Sequence, residues 1–191
     1  MPSKAYQKWR KVRRGELDRI EHAHRAVGVT GRGRWYATPQ VNQAYVMLLA
    51  SHFQGFCRDL YSEVADLLVG LVNPTYLQPI IKAELKRNRQ LERGNAQAGS
   101  IGADFGRLVP SFWDHVKRHD PLDEHRFQEQ LEALNKWRNA VAHQDFSDFP
   151  GPAKLRLAQI RRWRGVCNRL ARIFDRVLHD HLQSLTGTPP W

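Results

Sequence analysis

Apolar residues return every third or fourth position along most of the chain, the mark of helices with one buried face, and alternating strand patterns are absent. Residues 4–27 carry this period in Tyr6, Trp9, Val12, Leu17, Ile20, Ala23 and Val27, with Gly15 as a place for a break or kink. The glycines of GVTGRG (28–33) end that helix in a loop lacking the Rossmann and P-loop spacings. Thr38-Pro39 reads as an N-cap and first-turn proline. It opens the longest apolar pattern, from Tyr45 through Phe53 and Phe56 to Leu71, a central pillar that Asn73-Pro74 stops. A shorter helix over 75–93 comes next, with Pro79 in its first turn. The small, polar stretch 94–106 (GNAQAGSIGADFG) reads as a mobile loop. Phe112, Trp113 and Val116 mark another helix, and Asp120-Pro121 separates it from a helix over roughly 123–143. The turn-rich DFSDFPGP (145–152) precedes a last helix over about 153–185, whose inner side runs from Leu155 through Trp163, Cys167 and Phe174 to Leu182. The expectation is an all-α, up-and-down bundle of about five to six helices, one domain over 1–185 with a disordered tail at 186–191.

Composition changes the picture through charge. A hydrophobic share of 41% is enough for a core, but 30 Lys+Arg against 19 Asp+Glu leave a formal net charge of +11. That excess points to nucleic acid or another anionic partner. It is concentrated at the N-terminus, in 82–93 (Lys82, Lys86, Arg87, Arg89, Arg93) and on the last helix (including Arg161, Arg162 and Arg164). Tyr6 and Trp9 among the N-terminal cations could stack bases, or simply face the core. Helix-end cations account for part of the charge. RNA is the economical partner for the rest, with Lys86, Arg87, Arg161, Arg162 and Arg164 as candidate contacts. No run has the length of a membrane span, and the N-terminus lacks the apolar region of a secretory signal. Two cysteines, Cys57 and Cys167, lie within apolar helical patterns, so a disulfide framework is not expected and a cytoplasmic location is the default.

Candidate chemistry centres on 131–145, LEALNKWRNAVAHQD. Arg138 falls in the apolar stripe, where a lone guanidinium is costly unless paired. His143 stands five positions later, and histidine is the side-chain type suited to proton transfer at physiological pH. A permanent cation and an imidazole can stabilise a phosphorane and move a proton. On one ideal helix a five-residue step turns about 500°, leaving the two roughly 140° apart. Either the helix loosens at Ala142–His143, or the pair works where two copies of the helix meet. The bland alternative is an Arg138 held by Asp59, Asp145 or another carboxylate, with His143 a helix-terminal cation.

The run Arg138-Asn139-Ala140-Val141-Ala142-His143 resembles the R-x(4–6)-H signature of HEPN domains, including the polar residue after the arginine. Glu16-Leu17-Asp18-Arg19, His24-Arg25-Ala26, Arg34-Trp35 and LLASHFQGFCRDLYSEV (48–64) resemble the RiboL-PSP/MAE-type HEPN-like nucleases, so that about 14–182 fits that scaffold. The resemblance implies a metal-independent endoribonuclease, a homodimer with motifs facing across the interface, serving as a toxin or as a defence or stress effector. It implies that His143 acts as general base or acid, that Arg138 stabilises the phosphorane, that Asn139 orients the pair or the phosphate, and that a 2′,3′-cyclic phosphate is left. Similar sequences often carry an acid where this chain has Gln54, so Gln54 or Asp59 is expected to support Arg138. The same scaffold is compatible with a non-catalytic RNA- or protein-binding module, and with the HEPN partner of a nucleotidyltransferase in a toxin–antitoxin pair.

The other histidines carry less. His115 and His119 stand one turn apart without a third ligand, and His22/His24 and His179/His181 face different sides of a helix. His52 lies in an apolar stripe, as a hydrogen-bonded core histidine does. No metal site and no cofactor is expected.

Overall fold

The computed structural model describes residues 1–27, 34–120, 124–149 and 154–191, and among them every regular element is helical. The loop 28–33 and the punctuation at Pro121 and Pro152 lie outside the described residues. The fold is all-α, with more helices than the sequence pattern separates. They are α1 (Lys4–Lys8), a π turn (Trp9–Arg13), α2 (Arg14–Val27), α3 (Arg34–Gly70), a 3-10 turn (Thr75–Leu77), α4 (Gln78–Lys86), α5 (Gln90–Arg93), α6 (Ala98–Phe105), α7 (Phe112–His119), α8 (Glu124–His143) and α9 (Leu157–Thr186).

The expected pillar is α3, which packs against α2, α8 and α9. Its inner residues Phe53 and Phe56 meet Trp9, whose ring lies 6.0 and 5.7 Å from theirs and is 1% exposed. Trp9 is therefore a core residue and does not form a base-stacking surface. The break expected at Gly15 falls earlier, in the π turn. A π turn inserts one extra residue and so rotates the helix beyond it relative to the helix before; here Arg13 is buried with its Nη2 2.8 Å from Asp59. Gly55 makes room for it, since a Cβ there would stand 2.9 Å from that same Nη2.

The stretch 94–106 is not an open loop. Ile101 and Phe105, one turn apart in α6, enter the core with Asp104. The Asp104 carboxylate accepts the Gln90 and Leu91 amides, both at 2.9 Å, and so caps the start of α5. Phe105 and Phe112 stack at 4.8 Å, and Phe174 of α9 meets both. The C-terminal tail also docks: the Trp191 ring lies 5.9 Å from His179, and its carbonyl accepts the N-terminal amine at 3.3 Å.

Part of the basic face turns inward. Glu21 receives Arg161 Nε at 2.9 Å, Arg164 Nη1 at 3.3 Å and the Tyr45 hydroxyl at 3.1 Å, joining α2, α3 and α9. Arg164 also reaches Asp18 and is only 12% exposed, so it braces the bundle and is not a free surface cation. Burial by itself would raise the Glu21 carboxyl, but the hydrogen bonds from Arg161 and Tyr45 outweigh it and hold it below the usual range. A lowered folded value means that this stability is present above the unfolded glutamate range and is lost as pH falls through the folded one. Glu21→Gln is expected to cost about 1.5–3 kcal/mol at neutral pH. The loss shrinks towards acid, a convergence readable by urea unfolding at the two pH values.

Candidate active site

One face of α8 carries Glu132, Lys136, Asn139, Ala140 and His143, and these residues line an open cleft of about 470 Å³. Gln97 closes it from the start of α6, and Asp145 and Asp148 from the turn beyond α8. His143 is solvent-exposed at the last helical position. The helix stays regular through it and ends in a Schellman closure: Gln144 takes a left-handed conformation (φ 54°) and the Asp145 amide donates to the Ala140 carbonyl at 3.1 Å. No loosening occurs at Ala142–His143, and within one chain Arg138 and His143 diverge by roughly 140°.

The turn after His143 is pinned. Trp137 packs on Phe149 at 4.3 Å and on Phe146 at 6.3 Å, while Lys136 sits over the Phe149 ring and donates to the Asp148 carbonyl at 2.9 Å. Asp145 accepts the Ser147 amide at 3.0 Å. That bond, helped by the Ser147 hydroxyl and the neighbouring His143, lowers its carboxyl.

Arg138 is partly buried and donates to Asn139 Oδ1 at 3.1 Å. Among the described residues it has no carboxylate in ion-pair range. Asp59, expected as its support, is taken by Lys8 and Arg13, which outweigh burial and lower its carboxyl. Asp145 is engaged with Ser147. Gln54 does not reach Arg138 either; its Nε2 donates to the Leu91 and Gly94 carbonyls at 2.8 and 2.6 Å. It thereby holds the segment that presents Asn95, whose Nδ2 reaches Asn139 Oδ1 at 2.7 Å. On the other side the buried Asn135 donates to the Ala96 carbonyl at 3.0 Å. The sequence pattern does not single out Asn95, Gln97 or Asn135. The one signal is Asn135 itself, since asparagine inside a helix competes with the backbone and calls for another partner.

Of the candidate RNA contacts, Lys86 and Arg162 are exposed, Arg87 is exposed beside Glu84, and Arg161 and Arg164 are engaged by Glu21. His52 lies 2.8 Å from Glu16, and burial, its main influence, lowers its imidazole. His115 and His181 rings stand 6.5 Å apart, and His119 lies 3.6 Å from Asp180. Among the described residues no group of three or more His, Cys, Asp or Glu is placed to hold a metal ion. Cys57 and Cys167 are buried, and burial raises both thiols. No helix among the described residues is long and apolar enough to cross a membrane.

The motif helix of this bundle thus ends in an exposed histidine, with an arginine behind it that no described carboxylate pairs. The RiboL-PSP-HEPN family profile matches residues 37–180, and the chain belongs to that family. No curated protein and no solved structure significantly matches the chain.

Proposed function

We propose that the protein is a metal-independent endoribonuclease of the HEPN type, acting in a toxin, defence or stress role. One observation carries this reading: Arg138 keeps its charge uncompensated by any described carboxylate and is tied through Asn139 to the open cleft that His143 lines. An arginine placed only for packing would be expected to have a carboxylate partner. In the proposed reaction His143 takes the proton of the ribose 2′-hydroxyl and the 2′-oxygen attacks phosphorus. Arg138 stabilises the charge on the phosphorane. The P–O5′ bond breaks, the 5′-oxygen takes a proton from solvent water, and the His143 imidazolium returns its proton to solvent, giving a 2′,3′-cyclic phosphate and a 5′-hydroxyl.

The regular end of α8 supports a homodimer. With the two groups pointing apart on one helix, a two-fold pairing of α8 is the simplest way to direct both at one phosphate. Total RNA incubated in EDTA with the parent and with His143→Ala, followed by end mapping, tests the activity; sedimentation tests the dimer.

The exposed cations Lys86, Arg87 and Arg162 support RNA binding. For about four phosphate contacts on a single strand, raising salt from about 50 to 200 mM is expected to weaken binding about 50-fold. A salt-independent affinity, measured by fluorescence anisotropy, would remove RNA from the reading.

A second reading draws on the carboxylates Glu132, Asp145 and Asp148 beside His143. They suit a basic partner protein, so the alternative is a non-catalytic module or the HEPN half of a pair silenced by an antitoxin or nucleotidyltransferase. Binding of RNA without cleavage favours the module, and toxicity relieved by co-expressing a partner nucleotidyltransferase favours the pair.

A further inference from the structure

Asn139 Oδ1 accepts two hydrogen bonds, from Asn95 Nδ2 at 2.7 Å and from Arg138 Nη1 at 3.1 Å. Both lone pairs of that oxygen are occupied, so the amide has one orientation. Its Nδ2 has no acceptor among the described residues, and Asn139 is a wall of the cleft beside His143. The donor that fixes this orientation is itself held: Gln54 grips the Gly94 carbonyl on one side of Asn95, Asn135 grips the Ala96 carbonyl on the other, and the Asn95 carbonyl accepts the Gln97 amide at 2.8 Å. Three side chains from α3, α8 and the intervening segment thus set one amide. Pre-set donors of this kind stabilise charge developing on an oxygen without reorganising during reaction.

We propose that Asn95 is a positioning residue, which locks the Asn139 amide so that one of its N–H donors meets a nonbridging oxygen of the phosphodiester beside His143. This rests on the nuclease reading for its substrate, but the locked amide is separately testable. Aspartate at position 95 has the shape of asparagine and lacks the donor. It would accept from Asn139 Nδ2 and draw Arg138, turning the amide over. Asn95→Asp is therefore expected to lower kcat about tenfold to a hundredfold with KM unchanged, and Asn95→Ala to lower it less. Asn139→Asp, which keeps both inward bonds and loses the outward donors, should match Asn95→Asp.

The decisive readout is the side-chain amide NMR signal of Asn139, assigned by its loss in Asn139→Asp. The full-length protein is titrated with an RNA oligonucleotide blocked by 2′-deoxy sugars. The Asn139 amide protons are expected to shift in the parent and to stay unmoved in Asn95→Asp. An equal response in both proteins, or none in the parent, overturns the proposal, as does a full kcat in Asn95→Asp. If the parent cleaves no RNA, the nuclease reading fails, and the titration still decides the role of Asn95. Should Asn95→Asp not fold, Asn95→Ala carries the same test, with the same sign.

Discussion

His143→Ala is expected to lower RNA cleavage by about 10²–10⁴-fold while leaving the thermal midpoint nearly unchanged. The stability half comes from exposure: His143 closes α8 at the surface, where the Schellman bond from Asp145 to Ala140 uses only main-chain atoms. The activity half comes from its place in the cleft, where no other histidine among the described residues lines the wall. Arg138→Ala should fall comparably in rate, and Arg138→Lys should recover little, because a point charge on a flexible stem does not reproduce the planar fork that reaches Asn139. Initial rates on a defined RNA in EDTA, with unfolding curves for each variant, check both halves. A His143→Ala protein that cuts at the parent rate would end the catalytic assignment.

Phe174→Ala is expected to cost about 3–5 kcal/mol and to lower Tm by on the order of 10 °C. The ring is fully buried and meets Phe53, Phe105, Phe112 and Trp113 at 6.3, 5.8, 5.0 and 5.8 Å. Removing it leaves a void where α3, α6, α7 and α9 converge, and so loosens α6, whose first turn lies just beyond the segment carrying Asn95. Leu185, on the same helix and 60% exposed, should shift stability by less than about 0.5 kcal/mol when replaced by alanine. Calorimetry on the two variants would show similar losses only if the aromatic cluster were not the centre of the core. Phe174→Leu, which refills part of the void, should fall between them.

The helix pattern was legible because the period of a buried face is local. The inward side of α9 matches the sequence spacing from Ile160 to Leu182, and the motif helix ends where DFSDFP begins. Segment 94–106 misled because Gly, Ala, Ser and Asn dominate it. Its two anchors, Ile101 and Phe105, gain their burial from the core that the other helices build and not from neighbours in sequence. The tail TGTPPW misled likewise, since Trp191 finds His179 only after the bundle closes.

Charge was the least legible property. Arg161, Arg162 and Arg164 look alike in the sequence, yet Glu21 engages the first and last while Arg162 stays exposed. The same holds at the site, where Asp59 was a plausible partner for Arg138 and turned instead to Lys8 and Arg13.

Sequence alone thus determined the all-α class, the central role of α3, the end of the motif helix and the residues of the R-x4-H run, because helical period and stop signals act over a few residues. Tertiary structure alone decided which polar groups meet: Asn95 with Asn139, Gln54 with Gly94, Glu21 with Arg161. A hydrogen bond reaches only about 3 Å, so partners far apart in the chain are chosen by how the helices dock, which no local pattern records.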